Sequence, residues 1–175
     1  MNVVKEAIKG DDDAFLTLMK EYQTQLYRMA FLYFRNEHDA LEAVQETTFR
    51  AYQKVHTLKN PQYFSTWLTR ILLNYCHDEF KKSKRIVHHQ DLVEAKGMKR
   101  DTYLIEFWEL LANLDEKFQQ VLTMKYIQGY KIKEIALSMN TSEGTIKTWL
   151  YKAVKQLKDS EMKGEGSLES RSTGV

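Results

Sequence analysis

The chain has 175 residues, of which 43% are hydrophobic and 29% are charged, so it can form one or two small folded domains. Its net charge is only +2, which excludes a globally basic protein and requires any nucleic-acid surface to be local. One cysteine excludes an internal disulfide, and the chain has neither a signal pattern nor about 18 consecutive apolar residues, so we expect a cytoplasmic protein without membrane insertion of its own.

Helical signals dominate the N-terminal half. Seven glycines and one proline in the whole chain leave little turn chemistry and predict a mostly helical fold. The residues before Gly10 look like a lead-in, and the aspartates at 11–13 suit the first turn of a long helix that extends through Tyr33. Asp39 is a candidate cap for the next helix, which we expect over 40–56.

The predicted helix over 40–56 has a polar side with two interpretations. Glu42, Gln45 and Glu46 lie on a side that differs from the apolar stripe, and Phe49 falls near them without a clear placement. An acidic and amide surface beside an aromatic ring suits docking of a basic partner. The alternative is an ordinary solvated helix face, and the residues alone favour this alternative.

Aromatic residues cluster where Pro61 marks the start of a third helix. Tyr63, Phe64 and Trp67 can stack on unpaired bases or belong to the core, and the core interpretation is slightly favoured for the last two. Further polar residues follow at helical spacing along one side, namely Thr66, Arg70, Asn74, His77 and Lys81. A basic run at 81–85 ends the helix. This side suits melted or duplex DNA as well as it suits solvent, and the residues leave both open.

A segment without helical periodicity, residues 86–102, predicts a flexible linker between two domains, 1–85 and 103–160. The pairs His88–His89 and Cys76–His77 have no metal-ligand spacing with partners elsewhere, so we predict no metal site.

The second domain contains at least two helices before its final motif. Asp115 is a candidate N-cap, the apolar residues over 118–122 form a buried stripe, and Gly129 can end that helix. The last residues, 161–175, are mainly Gly, Ser and charged residues with little to bury, and we expect them to be disordered.

Residues 131–158 have the pattern of a helix-turn-helix. The first helix contains the small Ala136, Asn140 tolerates a left-handed backbone, and Thr141 or Ser142 can cap the second helix. The outer side of the second helix is cationic and rich in hydrogen-bond donors, namely Lys147, Thr148, Tyr151 and Lys155, with Lys152 at its edge. Such a helix fits the DNA major groove. A solvated basic face is the alternative, and the turn in register with Ala136 favours DNA binding.

The order and spacing of these motifs resemble the extracytoplasmic-function group of bacterial RNA polymerase sigma factors, within the sigma-70 family. The resemblance extends from about Gly10 to Lys158. The run DALEAVQET at 39–47 is similar to the family pattern D-A-x-[DE]-x-x-Q-E-T, and FSTWLTRI at 64–71 is similar to F-x-x-W-L-x-R-I. The run GTIKT at 144–148 resembles the family signature G-T-V-K-S.

The resemblance implies an all-α fold of two small helical domains, the C-terminal one containing the helix-turn-helix, without cofactors or catalysis. It implies binding to core RNA polymerase, to promoter DNA and to an anti-sigma factor. The residues implied in core-polymerase binding are Leu41, Glu42, Gln45, Glu46 and Thr48. Those implied at the melted minus-ten element are Asn60, Tyr63, Phe64, Trp67, Arg70, Asn74, His77, Lys81 and Lys82. Those implied at the minus-thirty-five element are Ser142, Glu143, Thr145, Lys147, Thr148, Tyr151, Lys152 and Lys155.

We therefore predict a sigma factor that directs promoter recognition and DNA melting for a stress or envelope-response regulon. The family commonly has Arg where this chain has Trp149 and Lys152, so contacts at those two positions differ. The rival function is an autonomous helix-turn-helix regulator, but such proteins usually dimerise and no separate dimerisation segment is evident. An enzyme would need a nucleophile, base or metal constellation, and the sequence contains none that we recognise.

Overall fold

The computed structural model describes the backbone of residues 2–86, 111 and 113–169, and side chains over 2–79, 82, 111 and 113–160. Every regular element within these ranges is helical, which confirms the predicted all-α fold class. The α-helices are α1 (Asn2–Ile8), α2 (Asp12–Phe34), α3 (Glu37–Lys54), α4 (Phe64–Ile86), α5 (Glu116–Leu122), α6 (Ile132–Ser138) and α7 (Glu143–Glu169). Among the described helices, none is long and apolar enough to cross a membrane.

The chain divides into two compact units, Met1–Met98 and Lys99–Val175. The division falls within the predicted linker, 86–102, most of which lies outside the described residues. The first residues of the predicted second domain, 103–110, also lie outside them.

The first nine residues form more structure than the sequence predicted. They contain α1, whose Val4 and Ala7 are buried against α2 and against a short 3-10 helix, Val55–Thr57. Gly10 then turns the chain with a φ of 99°, a backbone conformation that glycine adopts without steric cost. The N-terminal segment is therefore part of the first unit, because Val4 and Ala7 bury apolar surface against α2 and the 3-10 helix.

Helices α2, α3 and α4 pack together as the core of the first unit. Asp11 begins α2 by accepting a hydrogen bond from the backbone N–H of Ala14 at 2.8 Å, which confirms the predicted cap. The helices bury apolar residues that recur at helical spacing, including Leu18, Leu26 and Met29 of α2, Ala40, Val44 and Ala51 of α3, and Leu68, Leu72 and Leu73 of α4. Burial of these side chains is the main favourable term that holds the three helices together.

The start of α3 differs from the sequence prediction. Its N-cap is Asn36, whose side-chain oxygen accepts hydrogen bonds from the N–H groups of His38 at 2.8 Å and Asp39 at 3.3 Å. The predicted cap, Asp39, instead lies in the first turn, where its carboxylate complements the helix dipole. Asn36 takes the capping role because Arg35, with a φ of 54°, has already reversed the chain after α2.

The second unit contains the predicted helix-turn-helix. Helix α5 continues into one π-helical turn, Thr123–Ile127, and Gly129 with a φ of 72° ends that segment as predicted. Helix α6 then packs on α7. The residue between them with a left-handed backbone is Asn140, at a φ of 52°.

The second helix of the motif is capped by Ser142, whose Oγ accepts a hydrogen bond from the N–H of Thr145 at 3.0 Å. The buried stripe of the motif contains Ile135, Ala136, Ile146, Leu150 and Ala153. Helix α7 continues to Glu169, so the backbone over 161–169 is helical where the composition predicted disorder, and the last six residues lie outside the described ranges.

Candidate protein and nucleic-acid interfaces

An apolar groove runs between α2 and α3 on the surface of the first unit. It has a volume of about 680 Å³. It is lined by Asp12, Phe15, Leu16, Met19, Lys20 and Gln23 of α2 and by Val44, Gln45, Thr48, Phe49 and Tyr52 of α3. Leu16, Phe49 and Tyr52 are large apolar or aromatic side chains that are about half exposed, at 52%, 57% and 51%. Three such residues around one groove make it a candidate site for binding another protein.

Two residues that line this groove, Tyr52 and Asp12, are distant in sequence and in direct contact. Tyr52 Oη donates a hydrogen bond to Asp12 Oδ1 at 2.8 Å, which joins the end of α3 to the start of α2. The Tyr52 ring also meets the Phe15 ring edge to face, with centroids 5.3 Å apart. The hydrogen bond to Asp12 and the negative charge of its carboxylate raise the pKa of the Tyr52 hydroxyl.

The predicted core-polymerase residues divide into two sets on α3. Gln45 and Thr48 line the groove, and Thr48 Oγ1 also donates to the Val44 carbonyl at 2.8 Å. Leu41 and Glu42 are exposed on α3 outside the groove. Sequence reasoning did not include the α2 side of the groove, although the outward spacing of Asp12, Leu16, Lys20 and Gln23 is the signal that could have found it.

Glu46 is only partly available to a partner. Arg50 Nε donates to Glu46 Oε1 at 2.7 Å, and both side chains are about one-third exposed. The Arg50 guanidinium also lies over the ring of Tyr75, a buried residue of α4, at 5.2 Å from its centroid. Burial, together with the carboxylates of Glu42, Glu79 and Glu46, raises the pKa of Tyr75 to about 12.

The predicted minus-ten residues form an outer and an inner layer. Phe64 is only 2% exposed and packs against Tyr22, and His77 is 6% exposed, so both lie inside the unit rather than on its surface. Half-buried side chains above them include Tyr63, Trp67, Arg70 and Asn74. Asn60 caps the short 3-10 helix Pro61–Tyr63 by accepting from the N–H of Gln62. Lys82 is exposed and bonded to Glu79, and the Lys81 side chain lies outside the described ones.

The polar line predicted along α4 is therefore not a uniform solvent face. Thr66 is 2% exposed, as deeply buried as the apolar residues beside it. Helical spacing alone placed Thr66 and His77 on one side with Arg70 and Asn74, but α4 is covered by both α2 and α3. Contact with two helices buries a wider part of its circumference than a single apolar stripe would indicate.

The outer side of α7 carries the predicted minus-thirty-five residues. Exposed side chains there are Ser142, Glu143, Lys147, Thr148, Tyr151, Lys152 and Lys155, and Thr145 is half-buried. Tyr151 is 71% exposed, which leaves its ring and hydroxyl available for contact. Trp149 is half-buried at the border of the packed side. Lys147, Lys152 and Lys155 form a local cationic surface on one helix. A local surface is what a nucleic-acid-binding protein with a net charge of only +2 needs.

One cluster of potential metal ligands occurs among the described side chains. Ligand atoms of His38, Asp39 and Glu42 lie within 4.8 Å of one another. All three residues are near solvent in the first turns of α3, where the positive end of the helix dipole disfavours a cation, and His38 instead pairs with Asp39 at 3.5 Å. We assign no metal to this cluster.

Comparison with known proteins assigns both halves of the chain to one class. Residues 18–86 match the family model of sigma-70 region 2, and residues 104–157 match that of sigma-70 region 4. These two regions define the chain as a sigma-70-type transcription initiation factor. RNA polymerase sigma factor SigV of Bacillus subtilis (strain 168) is 31% identical over 147 residues, covering 82% of this chain and 88% of SigV.

A second relative in the same organism, ECF RNA polymerase sigma factor SigW, is 28% identical over 178 residues, covering 89% of this chain and 95% of SigW. The chain belongs to the extracytoplasmic-function group of sigma-70 factors, which confirms the predicted family. It is a sigma factor that acts with core RNA polymerase and promoter DNA at transcription initiation.

Two solved structures share the fold. CnrH, solved in complex with the cytosolic domain of CnrY, has a TM-score of 0.62 at 22% identity, covering 90% of this chain and 93% of CnrH. The sigma factor RpoE of Bartonella quintana, solved with the anti-sigma factor NepR, has a TM-score of 0.57 at 20% identity, covering 83% of this chain and 94% of RpoE.

Proposed function

We propose that this sigma factor docks on core RNA polymerase through the α2–α3 groove together with Leu41, Glu42 and Glu46. The observation that supports this assignment is the continuity of Gln45, which lies in the family motif, and Thr48, which directly follows it, with a groove that exposes Leu16, Phe49 and Tyr52. We propose a helical element of the polymerase largest subunit as the occupant, as the family resemblance implies. An apolar groove with acidic residues beside it suits an amphipathic helix that carries basic side chains.

The surface proposed for the melted minus-ten element lies at the start of α4. Asn60, Tyr63 and Trp67 present polar and aromatic groups at the entry of the helix, where rings can stack on unpaired bases. Arg70 and Asn74 continue the surface, and Lys81 and Lys82 provide charge for the phosphates near its end. Phe64 and His77 act from beneath, as the support that positions the outer residues.

The surface proposed for the minus-thirty-five element is the outer side of α7. Ser142 caps this helix, and Glu143 and Thr145 lie in its first turn, where a recognition helix meets base edges. Lys147, Lys152 and Lys155 neutralise phosphates, while Thr148 and Tyr151 add hydrogen-bonding groups. Trp149 occupies a position where the family commonly has arginine. It packs at the border of the buried side and is not part of the proposed DNA contact. The segment 114–130 is the proposed contact for the flap of the polymerase second-largest subunit.

Regulation and location follow from the same assignment. Two solved structures of similar fold are complexes, CnrH with the cytosolic domain of CnrY and RpoE with the anti-sigma factor NepR, and we propose an anti-sigma factor for this chain as well. The protein acts in the cytoplasm, where core polymerase and the chromosome are, on a stress or envelope-response regulon. It performs no catalysis of its own, and binding free energy alone drives promoter recognition and melting.

In vitro transcription tests this function directly. Purified core polymerase is given a pool of bacterial promoter fragments with and without the protein. We expect discrete transcripts only in its presence, and their start sites define the two promoter elements. Tight DNA binding by the protein alone, without new transcripts, would instead indicate the autonomous helix-turn-helix regulator.

A further inference from the structure

Tyr52 lines the groove outside the family motif at 39–47. Its hydroxyl reaches 40 residues back along the chain to Asp12, and its ring packs on Phe15. The ring remains 51% exposed, and both it and Phe15 line the groove. A half-exposed tyrosine on a helix surface ordinarily samples several rotamers, and ordering it costs entropy when a partner binds.

We propose that Asp12 is a positioning residue that holds the Tyr52 ring as a preformed wall of the polymerase-docking groove. This inference rests on the proposed function of the groove. The hydrogen bond at 2.8 Å and the edge-to-face contact at 5.3 Å restrain the ring at two points, and Phe15 is itself buried. The ring therefore meets a docking helix in one orientation. Its side-chain entropy is lost on folding, so binding does not carry that cost.

The position of Asp12 adds a second reason. It lies in the first turn of α2, directly after the cap Asp11, and a carboxylate there is stabilised by the helix dipole. The same carboxylate accepts the hydrogen bond from the Tyr52 hydroxyl, so the bond is charge-assisted and stronger than one between neutral groups. The link also spans the two helices that form the two sides of the groove, which keeps their separation constant at this end.

The test uses the full chain and measures affinity for purified core polymerase by competition. Tyr52→Phe keeps the ring and removes the hydroxyl, and Asp12→Ala removes the acceptor. We expect each to weaken binding about three- to tenfold, which corresponds to the net value of one hydrogen bond. The double variant should be no weaker than either single variant, because both remove the same contact. Asp12→Asn retains an acceptor oxygen and should recover most of the affinity.

Two matched controls separate this role from a general loss of stability. Asp13→Ala removes a neighbouring first-turn carboxylate that does not line the groove, and Glu21→Ala removes an exposed carboxylate further along α2 that also lies outside the groove. Both should bind core polymerase like the wild type. Unchanged affinity of Tyr52→Phe and Asp12→Ala, or additive losses in the double variant, would overturn the proposal. If the wild-type chain itself does not bind core polymerase, the proposed function of the groove fails instead.

Discussion

The guanidinium of Arg50 lies 5.2 Å from the centroid of the Tyr75 ring, so a cation on α3 covers an aromatic ring on α4. The same guanidinium donates to Glu46. Helix α3 carries the proposed polymerase surface, and α4 carries the proposed minus-ten surface. One arginine therefore connects the two helices that carry these two proposed surfaces.

Replacing Arg50 should loosen the α3–α4 contact. Arg50→Ala removes a cation–π interaction of about 0.5–1 kcal/mol and an i,i+4 ion pair of about 0.3–0.5 kcal/mol at a site that is one-third exposed. We expect amide hydrogen exchange in α3 and α4 to accelerate about fivefold, with α7 unchanged as the internal reference. Arg50→Lys keeps the charge without the planar group, so its exchange rates should lie between those of the wild type and Arg50→Ala. Equal exchange in all three proteins would show that the contact adds nothing to stability.

Charge reversal at Glu46 should weaken docking on core polymerase. Glu46→Lys removes a carboxylate from the proposed surface and places a second cation beside Arg50, so we expect affinity to fall about tenfold or more. Glu46→Gln keeps the hydrogen-bond acceptor and should lose less. Glu21→Lys makes the same charge change at an exposed α2 position outside the groove and should bind normally. A normal affinity of Glu46→Lys would remove Glu46 from the docking surface.

The lysines of α7 should account for part of the salt dependence of promoter binding. If Lys147 and Lys155 each neutralise a phosphate, replacing both with alanine reduces the slope of log K against log salt by about 2. The measurement is promoter affinity of the reconstituted holoenzyme across a salt series. Replacing the exposed Lys5 and Lys9 near α1 removes the same charge and should leave the slope unchanged. An unaltered slope in the α7 variant would mean that these lysines face only solvent.

The cap at Ser142 should stabilise the helix-turn-helix. Ser142→Ala leaves the N–H of Thr145 without its acceptor and should cost about 1 kcal/mol of stability in the second unit. Ser142→Asp restores a capping oxygen and should return stability to the wild-type value. Hydrogen exchange in the first turn of α7 reports the change. Rapid exchange in the aspartate variant as well would indicate that a role other than capping is lost.

Tyr75 should titrate late and couple to stability at alkaline pH. Its folded pKa of about 12 lies above the ordinary value of 10.0, because burial and the carboxylates of Glu42, Glu79 and Glu46 disfavour the phenolate. Since the folded pKa is the higher one, this contribution to stability is complete below about pH 10 and is lost as pH rises toward 12. Tyrosinate absorbance should show a late step that Tyr75→Phe removes. If the late step persists in Tyr75→Phe, it does not belong to Tyr75.

Local features of this chain were predictable because they depend on residues within one or two helical turns. The cap at Asp11, the left-handed Asn140, the cap at Ser142 and the terminating Gly129 all follow from backbone preferences that act locally. The helix-turn-helix was predictable for the same reason, since its two short helices and their turn are contiguous in sequence. For the surfaces that periodicity alone left open between solvent and a partner, the family motifs predict a partner.

Only the tertiary structure decided which polar residues are buried and where the groove lies. His77 and Thr66 share a helical side with Arg70 and Asn74, yet they are buried because α2 and α3 both cover α4. The Tyr52–Asp12 hydrogen bond joins residues 40 positions apart, and no local pattern indicates it. Periodicity describes one helix at a time, whereas burial and long-range contacts depend on how neighbouring helices pack.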